Sequence, residues 1–456
     1  MLVGQERRRR ERSGGQSVKS FVVQEHTKIV RRDGESTPPY LEQRLYNRLK
    51  RFDQRGRAEK DRVFSWSDRS ARTTQWVGVI QVPGLQVEIL PKIDEADFNG
   101  KDGKEAQARR NLLYMLSVAG QVPVRERDVA RLTSRKASLS ETLAAIFADR
   151  LRRELLRGPE RAYIHREENL RKFKGKLLIA QQVRHNAAHH ERFFCRFDEF
   201  SEDTLMNRIF RAACRVLLNA THTPLTQDRL RHCLLLLDGV EDMFVHDELF
   251  DQITITRQNE RFADVLHFCR LILQGRSPTV QAGRERSFSL LFDMNRVFED
   301  FIAAFLKKQV MPRFNGYRLY SQAKSQQRHL MRDGDRGVLL LKPDILIKTP
   351  NGDQQFVLDT KWKQFSGKVG RNDLYQIYAY TKRYECQRSV LLYPHVLEAE
   401  CLDYDIMDTD GATGEQVGVR FVNLRRDLHK RLERDALACD LTDIVEEGLP
   451  LEDGGL

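Results

Sequence analysis

The chain has 456 residues, 40% of them hydrophobic and 31% charged. It exceeds the ~100 to 200 residues of one domain, so two or three domains with a sizeable core are expected. No apolar run approaches the ~18 residues of a membrane span, and Gln5 to Ser20 is polar and charged, so a membrane protein and a secretory signal are both excluded and a cytoplasmic location is expected. The net charge of +12 favours polyanionic partners, nucleic acid foremost. The 7 cysteines lack C-x-x-C spacing, and His185, His189, His190 and Cys195 match no zinc pattern, so reduced packing cysteines are expected.

Arg7 to Arg10 lie in a polar, Gly/Ser-containing end that reads as a disordered basic arm. Phe21 to Asp94 mixes β-rich pieces (Phe21 to Val23, Trp76 to Val82, Leu85 to Ile89) with a helical stretch around Leu41 to Phe52, and Pro83-Gly84 makes a turn. From Ala106 to Ala148 the apolar spacing is helical, and a second α-rich region is expected from Arg161 to Leu273. No phosphate-cradling glycine loop occurs; Phe173-Lys174-Gly175-Lys176 lacks the rest of one. The chain is therefore not expected to hydrolyse GTP or ATP by itself through such a loop.

Asp293 to Lys308 carries Met294, Val297, Phe298, Phe301, Ile302 and Phe305 at helical spacing, with Glu299 on the same helix. Val338 to Ile347 and Gln355 to Trp362 are rich in β-formers and flank Asn351-Gly352, so they read as a hairpin. Residues two apart on a strand share a face, which puts Asp359 with Lys361 and turns Thr360 away. Asp344 is the second carboxylate, and Trp362 is expected in the opposite layer. Carboxylate oxygens hold Mg²⁺, the metal stabilises charge on a scissile phosphate, and a lysine orients or deprotonates the attacking water. Arg371 to Glu385 is a second helix with Gln376 and Tyr380 stacked four apart, and Ser389 to Tyr393 is a further buried strand. Lys342, Lys348, Lys363, Lys368 and Arg371 are placed to meet a DNA backbone.

Pro343-Asp344, Asp359-Thr360-Lys361 and Gln376-to-Tyr380 together resemble the RecB-like branch of the PD-(D/E)xK nucleases. More narrowly, the chain resembles the McrC family, nuclease subunits of the McrBC 5-methylcytosine-specific restriction system. Asp293-Met294-Asn295 leading to Phe298-Glu299, Val87 to Ile93, and Glu199 to Thr204 leading to Asn207 carry that likeness. The resemblance implies Asp344 and Asp359 as metal ligands, Glu299 as an accessory ligand, Lys361 as the water-orienting residue, and Gln376 and Tyr380 as positioning residues. It implies Mg²⁺ as cofactor, replaceable by Mn²⁺, modified-cytosine duplex DNA as substrate, and an AAA+ GTPase of McrB type as partner.

The fold class expected is an α/β C-terminal PD-(D/E)xK nuclease domain, a mixed sheet between helices, preceded by a small β-rich N-terminal module and an α-rich middle region. Boundaries fall at 1–20 (basic arm), 21–100 (β-rich module), 101–275 (α-rich, docking the motor with the module), 276–430 (nuclease) and 431–456 (end of a last helix near Leu424 to Leu437, then an acidic tail). The function expected is a Mg²⁺-dependent endodeoxyribonuclease, a type IV restriction subunit that stimulates its partner's GTP hydrolysis. A RecB-like repair or defence nuclease with another motor, and a non-cleaving GTPase-activating adaptor, are the competing readings.

Overall fold

The computed structural model describes residues 19–32, 40–55, 58–92, 102–124, 138–274, 287–322, 324–395, 399–409 and 411–449. The Arg7 to Arg10 arm and the last residues of the acidic tail lie outside them. The chain divides into two compact units, one of residues 1–139 with 277–456, the other of residues 140–276.

The first unit begins with β1 (Lys19–Gln24), β2 (Lys28–Arg32), β3 (Tyr40–Glu42), β4 (Phe64–Trp66), β5 (Ser70–Thr73), β6 (Trp76–Val82) and β7 (Leu85–Leu90), with a helix at Gln43–Gln54. Gly84, at φ 78°, turns β6 into β7. One sheet has the order β3-β2-β5-β4, and in the other β1 runs parallel to β7, which pairs antiparallel with β6. Leu45, Tyr46 and Leu49 of the helix pack with Ile80, Val82, Leu85 and Val87, a predominantly apolar face driven out of water, with the one hydroxyl on it, Tyr46 Oη, donating to the Ser67 carbonyl at 3.1 Å.

The second unit holds β8 (Ala162–Leu170), β9 (Lys176–Leu177) and β10 (Phe193–Ser201) in the order β8-β10-β9, with helices Leu205–Ala220, Pro224–Leu236 and Ala263–Gln274. The three strands add a sheet to the α-rich stretch expected from Arg161 to Leu273. Tyr163 pairs with Phe200, His165 with Asp198, and Glu167 with Arg196. One strand face is therefore largely charged, and alternation at period two went unread because the hydrophobic signal on the other face is weak. Glu202 to Asn207 serves to cap the Leu205 helix: the Thr204 hydroxyl accepts from the Asn207 amide at 3.2 Å, and the Asn207 side chain donates to the Glu160 and Glu202 carbonyls at 2.8 and 2.7 Å.

The chain then returns to the first unit through β11 (Phe288–Asp293), β12 (Arg318–Ser321), β13 (Arg328–Asp333), β14 (Arg336–Leu341), β15 (Ile345–Lys348), β16 (Gln355–Thr360), β17 (Arg388–Pro394), β18 (Leu402–Asp408) and β19 (Gly411–Val422). β11 joins the N-terminal sheet, antiparallel to β6, and its end caps helix Met294–Phe305 through Asp293, whose carboxylate accepts from the Asn295 amide at 3.0 Å. A mixed six-stranded sheet follows, order β12-β15-β16-β17-β19-β18, with β16, β17 and β19 parallel. Helix Arg371–Tyr384 packs Ile377, Tyr380 and Tyr384 onto Leu346, Val357, Leu391, Val417 and Val419. Each such fully buried side chain contributes roughly 1.5 to 3 kcal/mol relative to exposure.

Two expectations change here. Val338 to Ile347 is not one strand: β14 pairs with β13 in a separate two-stranded ribbon, and only Ile345–Lys348 pairs with β16. Pro343 removes a ladder donor, and Leu339 sits at φ 55°, so the run breaks before Asp344. The last helix runs over Arg431–Gly448 instead of Leu424 to Leu437, and buries Leu437, Leu441, Ile444 and Val445. Acidic residues between those positions made an amphipathic helix look like a tail. Asn111, on helix Asp102–Val118, donates to the Leu424 and Arg426 carbonyls at 3.0 and 2.8 Å and accepts from the Leu428 amide at 3.2 Å, so that helix is tied within this unit to the segment following β19.

Candidate active site

Asp359 is the next-to-last residue of β16, opposite Leu391 of the parallel neighbour β17, and is fully buried. The cluster therefore forms at the end of central strands, not along a lateral edge of the sheet. Lys361 follows immediately, its amide held by the Leu392 carbonyl at 2.9 Å, and its Nζ lies 2.5 Å from Asp359 Oδ2. That ammonium is the one charged contact the Asp359 carboxylate makes among the described residues, and neither of its oxygens accepts a hydrogen bond of ordinary geometry. Burial, and then the charge of Asp344, push its pKa up to about 7 against the pull of Lys361.

Asp344 stands in the bend between β14 and β15. Its Oδ2 accepts from the Thr360 amide at 2.8 Å and the Thr360 hydroxyl at 2.9 Å. Burial raises its pKa, and the two Thr360 donors oppose that. Thr360, expected to turn away, thus anchors the second carboxylate through both its amide and its hydroxyl.

Glu299 arrives from helix Met294–Phe305, half-buried beside Asp344; burial and then the Asp344 charge push it up to about 7. Gln322 fixes its orientation by donating from Nε2 to Glu299 Oε1, while the Gln322 amide donates to the Asp344 carbonyl at 3.2 Å. Gln322 adopts φ 45°, a left-handed conformation rare for glutamine, so the local fold holds it there. Nothing in the sequence around Gln322 signalled this role.

On the other side, Lys361 Nζ donates to Gln376 Oε1 at 2.9 Å, Gln376 Nε2 donates to Tyr380 Oη at 3.0 Å, and Tyr380 Oη donates to the Lys342 carbonyl at 2.9 Å. Burial works to lower the Lys361 pKa, but Asp359 and Asp344 more than offset it, so the ammonium is held charged. Tyr380 is pushed up to about 12 by burial and stays a neutral hydrogen-bonding phenol. The structure thus brings together all six residues singled out in the sequence. Of the basic residues thought to face DNA, Lys363 is instead paired with Asp373, whose Oδ2 also accepts from Tyr393 Oη at 3.2 Å.

Among the described residues no group of three His, Cys, Asp or Glu side chains is arranged to hold a metal ion outright. Asp359 has closed on Lys361 and one oxygen of Asp344 is taken by Thr360. The donor set nonetheless suits a hard divalent cation. Two buried carboxylate oxygens without ordinary donors, beside Asp344, whose charge raises the pKa of both Asp359 and Glu299, are what an oxygen-seeking cation relieves.

Trp362, beside this cluster, is buried against Phe298 at a ring distance of 5.3 Å and donates from Nε1 to both oxygens of Glu25 at 3.0 Å. Glu25, which also accepts from the Lys92 amide at 2.8 Å, is pushed up to about 7 chiefly by burial, with Lys92 lowering and Asp293 raising it. An unfolded glutamate releases its proton near 4.5, so the stability Glu25 contributes is complete below that pH and is lost as pH rises through about 7. Denaturant unfolding at pH 5 and pH 8 is expected to show the loss, roughly 3 kcal/mol at most. Asp359 and Glu299, raised to the same range, add to the loss over the same window, so Glu25→Gln should make the profile shallower without abolishing it; an unchanged pH dependence in that variant would remove Glu25 as a source.

The family model described as McrBC 5-methylcytosine restriction system component matches residues 71–394. The chain belongs to this family. No curated protein matches it. Among solved structures, a chain from the refined half-complex of a tetradecameric assembly of Thermococcus gammatolerans McrB AAA+ hexamers with bound McrC is 21% identical, with 93% of this chain and 100% of that chain covered and a TM-score of 0.62. A chain of the Thermococcus gammatolerans McrBC complex is 24% identical, covering 64% of this chain and 88% of that one, with a TM-score of 0.46. The first likeness establishes a shared mixed α/β fold for this family member. No helix among its described residues is long and apolar enough to cross a membrane.

Proposed function

We propose that this family member is the McrC-type nuclease subunit of a restriction assembly, with a PD-(D/E)xK site that cleaves modified-cytosine DNA. The observation that carries the reading is the meeting of Asp344, Asp359 and Glu299 with one half-buried lysine at the end of β16. Asp344 and Asp359 would hold Mg²⁺, with Glu299 as accessory ligand; Mn²⁺ would serve in an oxygen-donor site as well. The bound cation supplies Lewis-acid stabilisation of the phosphate undergoing attack. Lys361, held between Asp359 and Gln376, orients the water, and Gln376 and Tyr380 keep the lysine aimed. No nucleotide-binding loop is present in the sequence, and the solved half-complex pairs its McrC with AAA+ McrB, so the partner is an AAA+ GTPase whose turnover this chain stimulates.

Mg²⁺ is expected to raise the Tm of the wild-type chain and to leave an Asp344→Asn/Asp359→Asn double variant where it was, since stabilisation follows binding to the folded state. Equal shifts in both proteins would place the cation elsewhere. In a cleavage assay with methylated duplex, cutting should require Mg²⁺, GTP and the AAA+ partner together. Degradation of linear DNA by the chain alone would favour the other RecB-like reading.

A further inference from the structure

Between β12 and Asp344 the chain makes an excursion whose two strands supply no side chain to the site described. β13 and β14 form a ribbon around a two-residue turn with Gly334 at φ 57°. Met331 is 61% exposed, Leu339 60%, Val338 42% and Leu340 40%, so one short ribbon presents four apolar side chains to water. Regular alternation would have turned Leu339 inward beside Leu330. Its φ of 55° breaks the alternation, removes it from the ladder, and points three successive apolar residues outward. A leucine is among the least suited residues for that backbone, so the fold keeps a conformation that glycine would accept with less strain.

Charged residues frame the patch. Arg332, Arg336 and Lys342 are exposed, with Asp333 and Asp335 exposed at the turn between the two arginines, so the cations outnumber the carboxylates by one. The base of the ribbon is tied to the catalytic cluster, since the Lys342 carbonyl accepts from Tyr380, which receives from Gln376, which in turn holds Lys361. A second tie fixes the ribbon to helix Arg371–Tyr384, where Arg383 Nε donates to the His329 carbonyl at 2.8 Å and Arg328 Nη1 donates to the Arg383 carbonyl at 2.9 Å. Whatever the ribbon grips is therefore held a few residues from the carboxylates.

We infer that the β13–β14 ribbon is a DNA-gripping arm of the site, with Arg332, Arg336 and Lys342 on backbone phosphates and Leu339 with Met331 pressed against base edges in a groove. The inference rests on the nuclease reading and names the element that seats the duplex. A two-stranded ribbon fits a DNA groove, and Leu and Met are the side chains that wedge there, while an apolar patch flanked by three cations, with Asp333 and Asp335 confined to the turn, suits a polyanion better than another protein's apolar face.

The test uses the full-length chain with EDTA and a fluorescent duplex, so that binding is read without cleavage. Leu339→Gly removes the side chain at a backbone angle glycine prefers, so its Tm is expected to equal or exceed wild type while duplex affinity falls about tenfold. Arg332→Ala/Arg336→Ala should weaken binding and reduce the slope of log K against log salt by about 2. Wild-type affinity and slope in both variants would overturn the inference. So would sedimentation showing a wild-type dimer that Leu339→Gly dissolves, because the ribbon would then cover a second copy. Wild-type cleavage with Mg²⁺ and the motor is scored separately: its absence removes the nuclease reading and leaves the binding comparison to judge the ribbon alone.

Discussion

Asp359→Ala is expected to reduce DNA cleavage by about a hundredfold or more while the protein stays folded. The two halves of that expectation come from one geometry. Asp359 is fully buried, its oxygens accept no ordinary hydrogen bond, and its ionised form is opposed by burial and by Asp344. Alanine at that place removes an unfavourable charge and strands no backbone donor, and Lys361 keeps its bond to Gln376. The Tm should therefore hold or rise, and stimulation of the partner's GTP turnover should persist, since the carboxylate lost lies inside the strand layer. Cleavage at the wild-type rate would show that Asp359 holds nothing the reaction needs.

Gly78→Ala is expected to cost about 3 kcal/mol or more in denaturant unfolding. Gly78 lies opposite Leu291 in the β6–β11 pairing at φ 130°, and a Cβ there would stand 2.1 Å from the Leu290 carbonyl oxygen. Backbone cannot swing aside as a flexible side chain does, so the strands must part or the register must slip. Gly334, also at positive φ but with nothing within 4 Å of its would-be Cβ, is the contrast. Alanine there should cost only about 1 kcal/mol. If Gly78→Ala unfolds like wild type, β11 does not close the N-terminal sheet as described.

What the sequence revealed of this architecture depended on the strength of local signals. Apolar periodicity marked the helices at Met294 and Arg371, and β-formers marked β6, β7, β16 and β17, because those elements are buried on wide faces. β8 and β10 escaped because their outward faces carry paired charges, which in a linear reading resemble a solvated helix. The pairing of β11 with β6 joins residues some two hundred positions apart and leaves no local trace. In the site, residue type and order singled out the carboxylates and Lys361. Thr360, Gln322 and Glu25 were invisible, since each acts through a neighbour supplied by the fold, and a threonine or glutamine that orients a carboxylate looks like any other.

The arrangement around β11 bears on how such a protein can be dissected. The strand that completes the N-terminal sheet runs straight into the helix bearing Glu299, and the indole next to Lys361 is satisfied by a glutamate near the start of the chain. A clone beginning after the second unit would express an orphaned strand edge and an unmet indole N–H. Its inactivity would report on a broken scaffold, and only point changes in the intact gene can separate coupling to a motor from chemistry on DNA.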